Sequence, residues 1–485
     1  MSNVLSALKP QSIWKHFEEF CRIPHGSGHE KAIIEYVLAQ AKALKYPAVK
    51  DASNNVIIRM PASPGKEASP GVVLQGHLDM VWEKNSDIAH DFMKDPIKPV
   101  IRDGWVYASG TTLGADNGIG CSSALAVLED PSLVHGPLEC LFTNEEETGL
   151  TGAMGLRPGE LKGKYLLNLD SEEDDAFTIG CAGGADSDFT LPLARKSVKT
   201  KAAFRLMISG LRGGHSGINI HEGRANAIKL LARLLAPAQA KFPIALFRLE
   251  GGNKHNAIPR EAWADFYLEP AKIKAFSEFI QNAADRIKAE YHVVEPGMKL
   301  ALDPFELKAK DIPLTPKSQK ALLDFLQCCP HGVVAMHAEI PGLVETSTNL
   351  AILRTAGDKA KVLCSSRSSV ESALEALRGA LKSLADISGA RVKQPVGYPG
   401  WTPNLQSALL EKMKKIYRDQ NGKDPQVLAI HAGLECGLIG KNYPDMDMIS
   451  IGPTLQYPHS PDERVSIASV DKFWKFLTAT LAALA

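Results

Sequence analysis

His77 and Asp79, in Gln75-Gly76-His77-Leu78-Asp79, stand two residues apart at the end of an apolar run, Val72-Val73-Leu74, that reads as a buried strand. Residues i and i+2 of extended backbone share a face, so the imidazole can ligate a metal while the carboxylate orients it. On its own this pair is a common strand-end feature; other residues give it meaning. Asp116 lies in the glycine-rich Gly114-Ala115-Asp116-Asn117-Gly118, where an acid at a helix start also reads as an N-cap. Glu145-Glu146-Glu147 and Asp170 each follow an apolar run, and His459 sits in the loop Pro458-His459-Ser460-Pro461. Together His77, Asp116, Glu147, Asp170 and His459 supply two imidazoles and three carboxylates, enough for two metals with three protein ligands each when Asp116 bridges. Mixed nitrogen and oxygen ligation suits zinc, cobalt or manganese. A metal pair about 3.5–4 Å apart activates a water and polarises a carbonyl together.

These residues need a scaffold that gathers them. Apolar positions at helical spacing predict helices before Pro24 and over 30–44, and apolar runs predict strands over 55–59, 72–74, 138–143 and 165–169. Helices alternating with strands point to a layered α/β domain, in which sites collect at the carboxyl ends of strands. After Gly183-Gly184 the pattern becomes strand-helix-strand-strand: strands over 202–209, 244–249 and 256–268, helices over 224–235, 272–289 and 371–384, and a strand pair at 350–353 and 361–364. Beyond Trp401 the first pattern returns, with a helix over 403–419, strands over 426–430 and 446–451, and a final helix from Ile467. The expected fold class is therefore α/β, a layered domain with a mixed sheet interrupted by an inserted α+β domain. The expected boundaries are 1–185, 186–397 and 398–485.

Composition narrows the partners. Lys plus Arg and Asp plus Glu balance at 55 each among 485 residues, which leaves no electrostatic footprint for nucleic acid or an anionic membrane. Neither an export signal nor an 18-residue apolar run is visible, and the eight cysteines show no C-x-x-C spacing. A cytoplasmic protein with reduced thiols, acting on a small molecule or peptide, is expected.

His77-Leu78-Asp79, Gly114-Ala115-Asp116-Asn117-Gly118, Glu146-Glu147-Thr148-Gly149, Asn168-Leu169-Asp170-Ser171 and Pro458-His459-Ser460-Pro461 resemble the motifs of the M20 family of dinuclear-metal peptidases. Three further segments narrow the likeness to the members that cleave aminoacyl-histidine dipeptides: Leu211-Arg212-Gly213-Gly214-His215-Ser216-Gly217, Asn256-Ala257-Ile258-Pro259-Arg260-Glu261 and His431-Ala432-Gly433-Leu434-Glu435-Cys436-Gly437. The resemblance spans the chain from its first helix to its last. It implies a catalytic domain interrupted by a lid domain, two divalent metals, zinc first with cobalt or manganese as alternatives, and hydrolysis of dipeptides with a free N-terminus, such as carnosine. One metal would be held by His77, Asp116 and Asp170, the other by Asp116, Glu147 and His459. Asp79 would orient His77, and the peptide bond after Asp116 would be cis. A metal-bridged hydroxide would attack, with Glu146 as general base and His215 as donor to the oxyanion. Glu145, an extra acid, leaves the register of base and ligand open by one; Glu146 and Glu147 are assigned because Thr148-Gly149 then complete the family's E-E-x-G pattern. Asn256, Arg367 and Gly433 would hold the termini of the substrate. Members of the family are often homodimers, and an internally doubled lid can replace the partner.

Other readings stand beside this one. His215-Ser216 in a glycine-rich turn invites a serine hydrolase, but Ser216 is not in the G-x-S-x-G pattern of a nucleophile elbow. A non-catalytic binding protein on the same scaffold would have lost the base or a ligand, and neither is missing. Within the enzyme class, an M20-type aminopeptidase of longer peptides or an N-acyl amino acid deacylase is the alternative.

Overall fold

The strand Val72–His77 is buried along its whole length because it pairs in parallel on both sides, with Leu138–Thr143 and with Tyr165–Asn168. Strands covered on both faces read as unbroken apolar runs, which is the pattern of Val72-Val73-Leu74. The computed structural model describes residues 4–199, 202–306 and 311–485, and the chain divides into two units. The first comprises Met1–Cys181, Trp401–Ala429 and Leu434–Ala485; the second comprises Ala182–Gly400 and Ile430–Gly433.

In the first unit an eight-stranded sheet runs Ala48–Lys50, Val56–Met60, Leu138–Thr143, Val72–His77, Tyr165–Asn168, Asp447–Ser450, Ala176–Cys181, Gln426–Ile430. The four strands from Leu138–Thr143 to Asp447–Ser450 are mutually parallel, so their carboxyl ends lie along one edge. Antiparallel strands flank them, giving the expected mixed sheet. The helix Ala115–Glu129 lies almost wholly buried. Its small side chains permit that packing: a Cβ on Gly120 would fall 2.4 Å from the Leu169 carbonyl oxygen, while Ser122 and Ser123 donate their hydroxyls back to the Gly118 and Ile119 carbonyls. Gln11–Arg22 packs against it, with the buried rings of Phe17 and Phe20 over Gly118. Phe17→Ala is expected to cost about 3–5 kcal/mol, measured as a lowered urea midpoint for the transition of this unit. A four-stranded antiparallel sheet, Leu455–Gln456, Arg464–Ser466, Trp105–Ala108 and Pro99–Arg102, completes the unit.

The second unit is built on a nine-stranded antiparallel sheet carrying the helices Ala227–Lys241, Pro270–Glu290, Pro316–Cys328 and Glu371–Ser388. It is the inserted α+β domain. Its edges differ from the expected 186–397. Gly184 and Tyr398 exchange backbone hydrogen bonds of 3.0 and 2.9 Å within this unit, and Ala182 N–H donates to the Ile430 and Ala432 carbonyls. Residues 182–185, 398–400 and 430–433 therefore belong with it, whereas Cys181 pairs with Trp401 in the first unit.

Element ends moved where caps or side-chain pairing intervened. The helix expected from Pro403 begins at Ala408, because Ser407 caps it by accepting Leu410 N–H at 2.9 Å. The strand expected over 256–268 covers only Ala262–Tyr267. Upstream of it Ile258 N–H donates to the Gly214 carbonyl.

Candidate metal centre

His77 ends its strand with Nδ1 donating to the Asp79 carbonyl oxygen at 3.0 Å. That tautomer leaves Nε2 as a lone pair, and Nε2 faces Asp116 Oδ1 at 3.1 Å and Asp170 Oδ1 at 3.5 Å. The other oxygen of Asp116 lies 3.1 Å from His459 Nε2, which in turn lies 3.0 Å from Glu147 Oε1. Two groups of potential ligand atoms result, His77/Asp116/Asp170 and Asp116/Glu147/His459, each with its atoms within 4.8 Å of one another and sharing Asp116. His77, Glu146 and Glu147 form a third such group. Asp116 does not act as an N-cap. Gly114, at φ +73°, precedes the helix, Asp116 and Asn117 have non-helical backbone and are joined by a cis peptide, and the Asp116 carboxylate faces the two imidazoles.

The donor set fits divalent cations. A neutral imidazole lone pair aimed at carboxylate oxygens is repulsive unless a cation or a proton lies between them. Glu147 Oε1 is buried, and the group facing it is the His459 imidazole at 3.0 Å. Among the described residues, no Lys or Arg forms an ion pair with Asp79, Asp116, Glu146, Glu147 or Asp170. Protein charges alone respond as this predicts. Burial disfavours the His77 imidazolium, yet Asp170, Asp116 and Asp79 outweigh it and hold its pKa well above the ordinary value. Hydrogen bonding to Asp116 and Glu147 raises His459 to about 11 against the effect of burial. Burial pushes Asp170 up to about 6. For Asp116, hydrogen bonds from His459 and His77 overcome burial and hold the carboxyl below its usual range.

Asp79 contacts more than His77. Its carboxylate is 3.4 Å from His77 Nδ1, accepts the Ser27 hydroxyl at 2.6 Å, and accepts the backbone N–H of Glu146 at 3.0 Å and Glu147 at 3.2 Å. It thus ties the imidazole to the turn that carries both glutamates. Burial raises the Glu146 pKa well above the usual carboxylate value; the His77 charge opposes this, and Asp170, Glu435 and Glu147 add to it.

The remaining predicted site residues lie in the second unit. His215 Nδ1 accepts backbone N–H from Gly217 at 3.3 Å and Ile218 at 3.1 Å, so the neutral ring carries its proton on Nε2. Burial, with Arg367 and His255 nearby, lowers its pKa to about 4 and keeps it neutral. Arg367 is buried, with Nη1 donating to the Tyr398 hydroxyl at 2.9 Å and Nη2 3.5 Å from His215 Nε2. Both of those nitrogens bear hydrogen, so the pair presents two donors side by side. A Cβ at Gly433 would lie 2.8 Å from the Tyr398 ring. Asn256 is exposed, and its carbonyl accepts Ser216 N–H.

A family model described as Peptidase family M20/M25/M40 matches residues 73–483. The chain belongs to that family. It is 42% identical over 478 residues to the cytosol non-specific dipeptidase of Escherichia coli (strain K12), an alignment covering 98% of each chain. The aminoacylhistidine dipeptidase of Vibrio alginolyticus superposes with a TM-score of 0.91 at 41% identity, covering 99% of this chain and 98% of that one. Aminopeptidase PepT of Bacillus cereus, 16% identical, shares the fold at a TM-score of 0.58 over 98% of this chain and 99% of its own.

Two features of this M20 chain escaped the sequence reading. Glu463, buried, accepts four consecutive backbone N–H groups, those of Leu113, Gly114, Ala115 and Asp116. A polar seam crosses the sheet: Ser450 donates to Asn168, Asn168 to Gln75 at 2.6 Å, and Gln75 and Thr143 to Glu435 at 2.6 and 2.7 Å. Gln75 offered a signal, being a polar residue inside an apolar strand.

Proposed function

We propose that this chain hydrolyses dipeptides with a free N-terminus, Xaa-His dipeptides such as carnosine among them, in the cytoplasm. The observation that carries the reading is the pair of ligand groups sharing Asp116, with Glu146 held beside them by Asp79. Two divalent cations, zinc first and cobalt or manganese as substitutes, held by His77, Asp116 and Asp170 and by Asp116, Glu147 and His459, would supply Lewis-acid charge that makes a water acidic near neutrality and polarises a carbonyl. Glu146 takes the proton of the attacking water and returns it to the departing amine, one carboxyl serving both directions. His215, with Nε2–H as its free donor, stabilises the oxyanion of the tetrahedral intermediate. Arg367, aligned by Tyr398, grips the substrate carboxylate through its planar fork, and Asn256 and the backbone at Gly433 hold the remaining polar groups.

Assays on carnosine, other dipeptides, tripeptides and N-acetyl amino acids, with metal analysis of the same sample, test the proposal. Dipeptide cleavage with two bound metals is expected; a preference for tripeptides or acylated amino acids would overturn it. His215→Ala is expected to retain its fold and its metals and lose about 10²–10³ in kcat with little change in KM, because an oxyanion donor acts as charge develops. A kcat within a few-fold of the parent would leave His215 a turn residue.

A further inference from the structure

Two of the ligands, Asp116 and His459, lie 343 residues apart, and burial does not fix the loop that carries His459, which is half exposed. It sits in the hairpin loop between Leu455–Gln456 and Arg464–Ser466, which pair antiparallel. The hairpin is closed on itself by Ser460, whose hydroxyl donates to the Tyr457 carbonyl at 2.8 Å and whose carbonyl accepts Glu463 N–H at 3.0 Å. Glu463 therefore stands at the root of the His459 loop, and its side chain crosses to the Asp116 loop. There Oε2 accepts Leu113 N–H at 2.8 Å and Gly114 N–H at 3.1 Å, while Oε1 accepts Ala115 N–H at 2.7 Å and Asp116 N–H at 3.2 Å. The left-handed turn at Gly114 brings four successive donors onto one carboxylate. That count uses both oxygens twice, which no other side chain of this size offers.

We infer that Glu463 is a positioning residue that holds the Asp116 and His459 ligands in register, so that metal affinity at the Asp116/Glu147/His459 group depends on it. The inference rests on the two-metal reading above. Ligand geometry must be kept to about 0.5 Å for tight binding, and the groups that orient ligands typically govern affinity by about 10–100-fold. The backbone of the bridging residue itself is one of the four donors, so releasing the carboxylate frees Asp116 and the His459 loop at the same time.

The test is Glu463→Gln. Glutamine keeps the shape but has one acceptor oxygen, and its amide hydrogens confront two of the N–H groups. Zinc binding to the metal-depleted full chain is measured by equilibrium dialysis against a competing chelator, with circular dichroism to establish folding. Wild type is expected to bind two zinc ions, and Glu463→Gln to hold the ion of the Asp116/Glu147/His459 group about 10–100-fold more weakly, with a smaller loss at the His77/Asp116/Asp170 group, which shares Asp116 but not the His459 loop. Glu463→Asp, which keeps both acceptor oxygens one methylene further back, should recover part of that loss, and it serves as the test variant should the glutamine form not fold. The control is Glu139→Gln, which removes a buried carboxylate that accepts Lys162 and Gly163 N–H at the amino end of the Leu138–Thr143 strand; it should lose stability yet bind both ions as wild type does. Native affinity for both ions in Glu463→Gln, or an equal loss in Glu139→Gln, overturns the inference alone. Fewer than two ions in wild type overturns the two-metal reading and the inference with it.

Discussion

Exhaustive dialysis against a chelator should abolish dipeptide hydrolysis, and adding back zinc, cobalt or manganese should restore it. The size of the effect follows from what the protein offers without cations. His77, Asp116, Glu147, Asp170 and His459 point donor atoms at one another, and none is a nucleophile placed beside a base as a serine or cysteine enzyme requires. Ser216, the serine nearest His215 in sequence, is buried and its hydroxyl finds no hydrogen-bond partner. Water at its ordinary acidity would be the attacking species, so residual rates should fall to background. A preparation verified as metal-free by elemental analysis that still turns over at the native rate would end the hypothesis.

Glu146→Gln should lower kcat by about 10²–10⁴, the usual worth of a positioned general acid and base, while leaving two metals bound. Glu147→Gln should instead lose affinity at the Asp116/Glu147/His459 group. The two residues are neighbours on one turn, and both backbone N–H groups rest on the Asp79 carboxylate, so neither change is expected to unfold the turn. Metal content separates the roles. If Glu146→Gln loses a metal and Glu147→Gln keeps both, the register assigned within Glu145-Glu146-Glu147 is wrong by one.

That His77, Glu147 and Asp170 would come together, as they do, was legible because reactive side chains following apolar strands stand out and parallel strands deliver them to one edge; Asp116 and His459 stand in loops and were singled out by the motifs they belong to. The supporting residues were not. Glu463 sits in Asp462-Glu463-Arg464, which reads as a solvated charge run, and only the fold reveals that Glu463 is buried against backbone donors. Polarity hid burial elsewhere too. The strand Val344–Ala356 begins six residues before the expected 350–353 because Thr346 and Thr348 pair their hydroxyls with Ser368 and Ser366 on the adjacent strand, which lets these polar side chains be buried. One element was legible and missed: Thr315 caps the helix Pro316–Cys328 by accepting Ser318 N–H, with proline at the first turn. The inserted domain's extra segment, 430–433, stood out as part of a motif but not as part of that domain, which it joins through backbone hydrogen bonds and through His431 Nε2, 2.7 Å from Ser347 Oγ.

The order of strands in the first unit has a consequence for how the chain comes off the ribosome. Asp447–Ser450 lies between Tyr165–Asn168 and Ala176–Cys181, so the slot beside two strands made early stays open until nearly the whole polypeptide has been synthesised. The emerging amino-terminal half must hold unpaired strand edges while the entire inserted unit is translated. Such edges invite pairing with other chains, and long-range strand closure is slow. His459 and Glu463 arrive with the same late segment, so the Asp116/Glu147/His459 group is completed together with the side chain that closes over the Asp116 loop, long after His77, Asp116 and Asp170 have been made.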